Sequence, residues 1–122
     1  MNLFDSSALL CFVGGEPGSK AVERGLTAGG AACSAANWSE VAQKTRSRSR
    51  DRSLVIGLLL SYDLRIEPVT QQDAERAATL WRLGSGMSLA DRICLATGHR
   101  LGATVWTADK AWGRRPPIHQ VR

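Results

Sequence analysis

The chain alternates short apolar runs with longer segments in which apolar residues recur at helical spacing. The short runs predict strands over Met1–Phe4, Ala31–Ser34, Arg65–Val69, Thr104–Trp106 and Ile118–Val121. The longer segments predict helices over Ser19–Ala28, from Asn37 onward, and over Leu54–Leu64, Thr70–Leu83 and Ser88–Leu101. Strands and helices that alternate in this way indicate an α/β fold, with a mostly parallel sheet flanked by helices on both faces.

The segment Ser88–Asp109 carries the clearest pattern. Its apolar and small residues cover a wide arc of one helix, which predicts a mostly enclosed helix: Leu89, Ala90, Ile93, Cys94, Ala96, Thr97 and Leu101. Asp91 lies at the edge of that arc, where a carboxylate can face a cleft. Gly102 is expected to end the helix, and Asp109 follows the next strand.

Other predictions concern burial. The segment Leu54–Leu64 is so apolar that a buried helix is expected. Ile66 and Val69 are expected to point inward from the third strand. In the helix after it, the residues expected to face the core are Ala74, Ala77, Ala78 and Trp81.

Composition and charge narrow the class of protein. At 122 residues, with 43% hydrophobic and 22% charged residues, the chain fits one globular domain over residues 1–122. Sixteen Lys and Arg against eleven Asp and Glu give a net charge of +5, which favours a polyanionic partner, nucleic acid first. Without a signal-peptide pattern or an apolar run of about 18 residues, a cytoplasmic protein that does not enter membranes is expected.

The three cysteines, Cys11, Cys33 and Cys94, are odd in number and lie among apolar or small residues. No two of them form a CxxC pair. They are expected to be reduced core thiols of a cytosolic protein, and neither a disulfide framework nor a zinc site is predicted.

Four acidic residues stand among apolar neighbours: Asp5, Glu40, Asp91 and Asp109. In a parallel sheet all four can converge at the edge where the strands end. Carboxylates gathered there repel one another unless a cation neutralises them, and Mg²⁺ or Mn²⁺ prefers such oxygen ligands. In a basic protein this combination indicates cleavage of a phosphodiester by a metal-activated water.

Helix capping is the competing interpretation of the same acids. Asn37 with Glu40, and Ser88 with Asp91, have the spacing of a capping box, and Asp5 can cap the segment after it. Thr70 with Asp73 shows the same spacing without any other functional signal. A non-catalytic, basic RNA-binding module whose acids are only caps therefore remains the alternative function.

Two further features bear on function. A receiver-like phosphoacceptor also gathers acids at strand ends, but it needs a second acid directly after the first strand, where this chain has Ser6 and Ser7. Lys44, Arg46, Arg48, Arg50 and Arg52 form a basic run that suits either phosphate contact or a solvated surface. We expect this run at a helix end or a turn between helices.

The residues in these positions resemble the PIN domain, and within it the VapC-type toxins of toxin–antitoxin pairs. The resemblance rests on Asp5-Ser6-Ser7, Asn37-Trp38-Ser39-Glu40-Val41, Ser88-Leu89-Ala90-Asp91 and Thr107-Ala108-Asp109, in this order along nearly the whole chain. It implies a three-layer α/β/α fold and a Mg²⁺- or Mn²⁺-dependent endoribonuclease.

The resemblance also implies site residues and partners. It assigns the metal to Asp5, Glu40, Asp91 and Asp109, and adds Thr107 and Ser6 as hydroxyl residues of the catalytic site. It further implies an RNA substrate, a homodimer, and a VapB-like antitoxin that the helices around Arg46–Arg52 grip.

Overall fold

The computed structural model describes residues 1–47 and 51–122. In this part of the chain the strands are β1 (Asn2–Phe4), β2 (Ala31–Ser34), β3 (Arg65–Glu67), β4 (Thr104–Thr107) and β5 (Ile118–Gln120). The helices are α1 (Ser6–Val13), α2 (Ser19–Thr27), α3 (Ala35–Ser47), α4 (Arg52–Leu60), α5 (Gln71–Thr79) and α6 (Leu89–Leu101), with a 3-10 turn at Lys110–Trp112.

The described strands form one sheet in the order β3-β2-β1-β4-β5, and every neighbouring pair is parallel. β1 is central, and it pairs with β2 on one side and with β4 on the other. All five strands therefore end at the same edge of the sheet. The predicted α/β class with a mostly parallel sheet is confirmed.

Helices cover both faces of the sheet, which gives three layers. Phe4 faces a core built with α1 and α2, whereas Leu3, the preceding residue, faces a second core that contains Cys94 of α6. Successive strand residues point to opposite faces, so the short apolar run of β1 supplies both cores.

Two glycines have conformational or steric roles in this arrangement. Gly102 ends α6 in the left-handed conformation, with φ of 60°, as the sequence predicts. At Gly25 of α2, a Cβ would lie 2.8 Å from the ring of Trp106, so only glycine lets α2 approach β4 this closely.

The predicted burial of Leu54–Leu64 is wrong for half of the helix. α4 ends at Leu60, and only Val55 and Leu59 are buried in the core. Leu54 is 72% exposed, and Leu58 and Leu60 are 44% exposed. Apolar residues on every side of a helix predict that the whole helix is buried. In the described chain, however, other elements pack against one side of α4.

Several inward predictions in the following segment are also wrong. β3 ends at Glu67, and Val69 beyond it is exposed. α5 ends at Thr79, where only Ala77 of the four expected residues is buried; Ala74, Ala78 and Trp81 are exposed. Leu89 at the start of α6 is also exposed.

α5 is held against α6 by a buried acid. Thr70 and Asp73 form the predicted capping box at the start of α5. The Asp73 side chain is fully buried, and it accepts hydrogen bonds of 2.8 and 3.0 Å from the guanidinium of Arg100 on α6. Glu67 lies 3.6 Å from the same guanidinium. Asp73 of this capping box therefore also forms an ion pair with Arg100, and this pair joins α5 and α6 to the end of β3.

The three cysteines are buried and free, as predicted. Among the described residues, no helix combines the length and the apolar character that crossing a bilayer requires.

Candidate active site

The four acids of interest lie around the edge of the sheet where the strands end. Asp5 directly follows β1, and Asp109 lies two residues beyond β4, its neighbour in the sheet. Glu40 is in the second turn of α3, which directly follows β2, and Asp91 is in the first turn of α6. The parallel topology therefore gathers acids that are up to about a hundred residues apart in sequence.

Asp5 is buried and is bound through both carboxylate oxygens. Oδ1 accepts hydrogen bonds of 2.8 Å from the Ser7 hydroxyl and from the backbone N–H of Ala8, so Asp5 does cap α1. Oδ2 accepts a hydrogen bond from the Thr107 hydroxyl. Ser7 Oγ in turn accepts from the backbone N–H of Ala108 at 2.9 Å. Hydroxyl groups thus tie the end of β1 to the end of β4.

Glu40 is held from two helices. Its Oε1 accepts hydrogen bonds from the Ser6 hydroxyl at 2.8 Å and from Asn37 Nδ2 at 3.0 Å. The predicted capping box of Asn37 with Glu40 is wrong, because α3 begins two residues earlier, at Ala35. Ser34 takes the capping position, and its hydroxyl accepts from the backbone N–H of Asn37.

Asp91 and Asp109 are both caps as well. Asp91 accepts a hydrogen bond of 3.1 Å from the backbone N–H of Ser88, and the Ser88 hydroxyl accepts one from Asp91 in return, so this capping box is formed. Asp109 is exposed and accepts from the backbone N–H of Ala111 at 2.9 Å. The same acid can therefore cap a helix and belong to the candidate site, since the capping acids lie around one edge of the sheet.

The charges of these acids act on one another. Burial raises the pKa of Asp5 to about 6, and the charge of Asp91 adds to the increase. Burial also raises the pKa of Asp91, to which the charges of Glu40 and Asp109 contribute. Asp91 thus experiences repulsion from two acids and exerts it on a third. This mutual repulsion is what a bound cation would relieve.

Comparison with known proteins assigns the chain to a family. The sequence profile of the PIN domain matches residues 3–116. The chain belongs to the PIN domain family. No curated protein is significantly similar to it in sequence.

Two solved structures share the fold of this PIN domain. A chain of a toxin–antitoxin complex from Klebsiella pneumoniae is 23% identical, with a TM-score of 0.77 over 100% of this chain and 98% of its own length. VapC20 of Mycobacterium tuberculosis, a toxin that cleaves the sarcin–ricin loop, is 18% identical, with a TM-score of 0.67 over 88% of each chain. At these identities the likeness establishes the fold and leaves the activity to be tested.

The donor set at this edge of the PIN domain suits a hard divalent cation. The donors are carboxylate oxygens, whereas His99 and His119 take no part and burial raises the pKa of the Cys33 and Cys94 thiols. Among the described residues, no three His, Cys, Asp or Glu side chains form a ready cage for a metal. Mg²⁺ commonly uses one or two carboxylates, several waters and the substrate phosphate, so a full protein cage is not required.

Basic side chains lie on α3, the helix that carries Glu40, and on α4. Arg46 and Arg52 line a cleft of about 250 Å³ together with Ser39, Ala42 and Gln43. Both cations lie at helix ends, as predicted for the basic run. Its centre, residues 48–50 with Arg48 and Arg50, lies outside the described residues.

Sequence reasoning overlooked two side chains of this site. Ser7 was passed over in favour of Ser6, although Ser7 is the one that contacts Asp5 and the end of β4. Asn37 was interpreted as a cap, although its side chain binds Glu40. In a helix, residues three apart share a face, so the spacing of Asn37 and Glu40 could have indicated direct contact as well as a capping box.

Proposed function

We propose that this PIN domain is a Mg²⁺- or Mn²⁺-dependent endoribonuclease that acts in the cytoplasm as the toxin of a type II toxin–antitoxin pair. The observation that carries the proposal is the mutual repulsion of the acids at one sheet edge, centred on Asp91. A chain would gain stability by dispersing these charges, unless a cation occupies the space between them. The basic surface, with a net charge of +5, suits a polyanionic substrate.

The proposal gives each residue a role. Asp5, Glu40, Asp91 and Asp109 would hold the cation, and Thr107 and Ser6 orient the first two of these acids through hydrogen bonds. When bound, the cation would supply a nucleophilic water at neutral pH and neutralise charge on the leaving oxygen. Arg46 and Arg52, which line one cleft, would bind phosphates of the RNA.

One observation favours the alternative of a non-catalytic RNA-binding module. Asp5, Asp91 and Asp109 are all engaged as caps, and this alone would explain their presence. Glu40 does not fit that explanation, because within residues 1–47 and 51–122 its hydrogen-bond partners are side chains of α1 and α3 and not backbone N–H groups.

Metal dependence separates the two functions. We expect the purified protein to cleave total cellular RNA in Mg²⁺ or Mn²⁺, and to lose cleavage in a chelator. Thermal unfolding should shift upward with divalent metal, by the equivalent of about 2.7 kcal/mol at a hundredfold excess over the dissociation constant. Cleavage that survives chelation, or neither cleavage nor metal stabilisation, would overturn the nuclease proposal.

The proposed antitoxin has a suitable surface on α4. Leu54, Val55 and Leu58, with Val13 and Asp51, line an apolar groove of about 320 Å³. Large apolar side chains that are exposed indicate a binding partner, and Arg52 of the basic run begins the same helix. We propose that a VapB-like antitoxin covers this groove.

Changing Leu58 to Glu should separate inhibition from catalysis. A charge in the groove should abolish rescue by a co-expressed VapB-like antitoxin, because burying an unpaired carboxylate is costly. Cleavage of RNA in vitro should persist, since Leu58 is 44% exposed on α4, a helix that carries none of the four acids. Growth with and without co-expression of the antitoxin measures the first effect. Rescue that persists in the variant would move the antitoxin to another surface.

The proposed homodimer has a different apolar surface. Trp81 is 59% exposed and Leu83 is 89% exposed in the connection from α5 to α6, and Leu89, which begins α6, is 60% exposed. We expect the wild-type protein to be a dimer in sedimentation experiments, and Trp81→Lys to be monomeric. Leu54→Lys, which charges the other exposed surface, is the matched control and should remain a dimer. If Leu54→Lys is monomeric and Trp81→Lys remains a dimer, the dimer interface lies on α4 instead.

A further inference from the structure

Asn37 is a fully buried amide three residues before an acid of the site. Its backbone N–H donates to the Ser34 hydroxyl at 3.1 Å, and that hydroxyl donates to Asn37 Oδ1 at 3.0 Å. Its Nδ2 donates to Glu40 Oε1, also at 3.0 Å. A buried amide is costly unless it is satisfied, and here both ends of the side chain have a partner.

The chemistry of the partners fixes the orientation of the amide. With the amide reversed, Asn37 Oδ1 would face Glu40 Oε1, which places two acceptors against each other. The Ser34 hydroxyl has one proton, and it donates that proton to Oδ1. The Asn37 side chain therefore faces Glu40 with its amide N–H group and not with its carbonyl oxygen.

Two donors from different elements converge on the same oxygen of Glu40. Ser6 of α1 and Asn37 of α3 both donate to Oε1, and no described residue hydrogen bonds to Oε2. A carboxylate that is fixed through one oxygen has a defined plane and keeps its other oxygen for a ligand. This is how side chains behind a metal ligand orient it and tune its affinity.

We propose that Asn37, anchored by Ser34, is a positioning residue that fixes Glu40 for cation binding. The inference rests on the proposed function, because it assumes that Glu40 holds the cation. A leucine at this position would fill the core without a buried polar group, so the amide is retained for what it binds.

Binding of Mn²⁺, measured by calorimetry on the folded protein, tests the inference without relying on cleavage. Asn37→Ala should lower the Mn²⁺ affinity by about 10- to 100-fold, the usual cost of removing a partner behind a metal ligand. Ser34→Ala, which removes the anchor of Asn37 and the cap of α3 but keeps the amide that binds Glu40, should lower the affinity by less. Asn2→Ala is the matched control and should keep the wild-type affinity, because the Asn2 amide also donates a hydrogen bond, to the Gly25 carbonyl at 3.2 Å, but lies at the start of β1.

The outcomes separate this inference from the proposed function. Weaker Mn²⁺ binding by Asn37→Ala, with native circular dichroism, supports the positioning role. An unchanged affinity, with or without a lower melting temperature, reduces Asn37 to a structural residue and overturns the inference. If Asn37→Ala does not fold, Ser34→Ala decides in the same way. If the wild-type protein and Glu40→Gln both fail to bind Mn²⁺, the proposed function itself fails.

Discussion

The Asp91→Asn variant is expected to fold like the wild-type protein and to cleave RNA about a thousandfold more slowly. The Ser88 N–H now bonded to the Asp91 carboxylate can bond an asparagine oxygen instead, so the cap at the start of α6 survives. The lost charge is the one that interacts with Asp5, Glu40 and Asp109. Removing it takes away the carboxylate at the centre of the proposed cation site.

The expected loss of activity is large. Metal ions stabilise transition-state charge by several kcal/mol, and each 1.36 kcal/mol corresponds to about tenfold in rate. Losing most of that contribution lowers the rate by about a thousandfold. Initial rates on total RNA in saturating Mn²⁺, together with the melting temperature, measure both parts of the prediction.

The matched control is Asp73→Asn, because Asp73 occupies the same capping position in the other formed capping box. Asp73 is paired with Arg100 and lies outside the acid group of the site. This variant should lose stability and keep the wild-type rate of cleavage below its melting temperature. If Asp91→Asn cleaves RNA at the wild-type rate, as Asp73→Asn is expected to, then Asp91 is only a cap and the proposed cation site is wrong.

The Arg100→Met variant is expected to lose about 3 kcal/mol of unfolding free energy at neutral pH, the low end for a buried ion pair that loses one partner. The Asp73 side chain is fully buried, whereas Arg100 remains 23% exposed, which places the estimate at that end. For a domain of this size, the melting temperature should fall by roughly 10 °C. Adding Asp73→Asn to this variant should restore part of the loss, because no buried charge is left unpaired.

The loss should depend on pH. Burial alone would raise the pKa of Asp73, but the hydrogen bonds from Arg100 and Thr70 hold it below its ordinary value of 3.8. A lowered pKa stabilises the fold above the unfolded pKa, and this stabilisation disappears as the pH falls through the lowered value. In Arg100→Met burial prevails, so the carboxyl takes up a proton more readily. The difference between variant and wild type should therefore shrink towards acid pH, as urea unfolding at several pH values would measure. A constant difference would show that the charge of Asp73 is not its cause.

Local sequence signals predicted the elements that carry the site. The apolar run before Asp5, the small apolar strand Ala31–Ser34 and the glycine stop at Gly102 are all where the pattern placed them. These features depend on neighbours within a few residues, so periodicity and capping rules suffice for them. The capping boxes at Thr70 and Ser88 were predicted for the same reason.

These local signals do not predict whether an apolar side of a helix is buried within the domain. The pattern predicts all of α4 and Trp81 in the core, but Leu54, Leu58 and Leu60 on one side of α4 and Trp81 are exposed. An apolar pattern shows that a face needs cover, but it is the same pattern whether the chain itself or another molecule provides that cover.

By itself, the sequence determined the α/β class, the succession of strands and helices apart from α1, and the four acids with their neighbours. Only the tertiary structure decided that β1 lies between β2 and β4, and that Asn37 binds Glu40 in place of a helix end. The physical reason is the separation along the chain over which each interaction acts. Capping and periodicity act over one or two turns, whereas the repulsion centred on Asp91 arises between segments that only the packing of the sheet brings together.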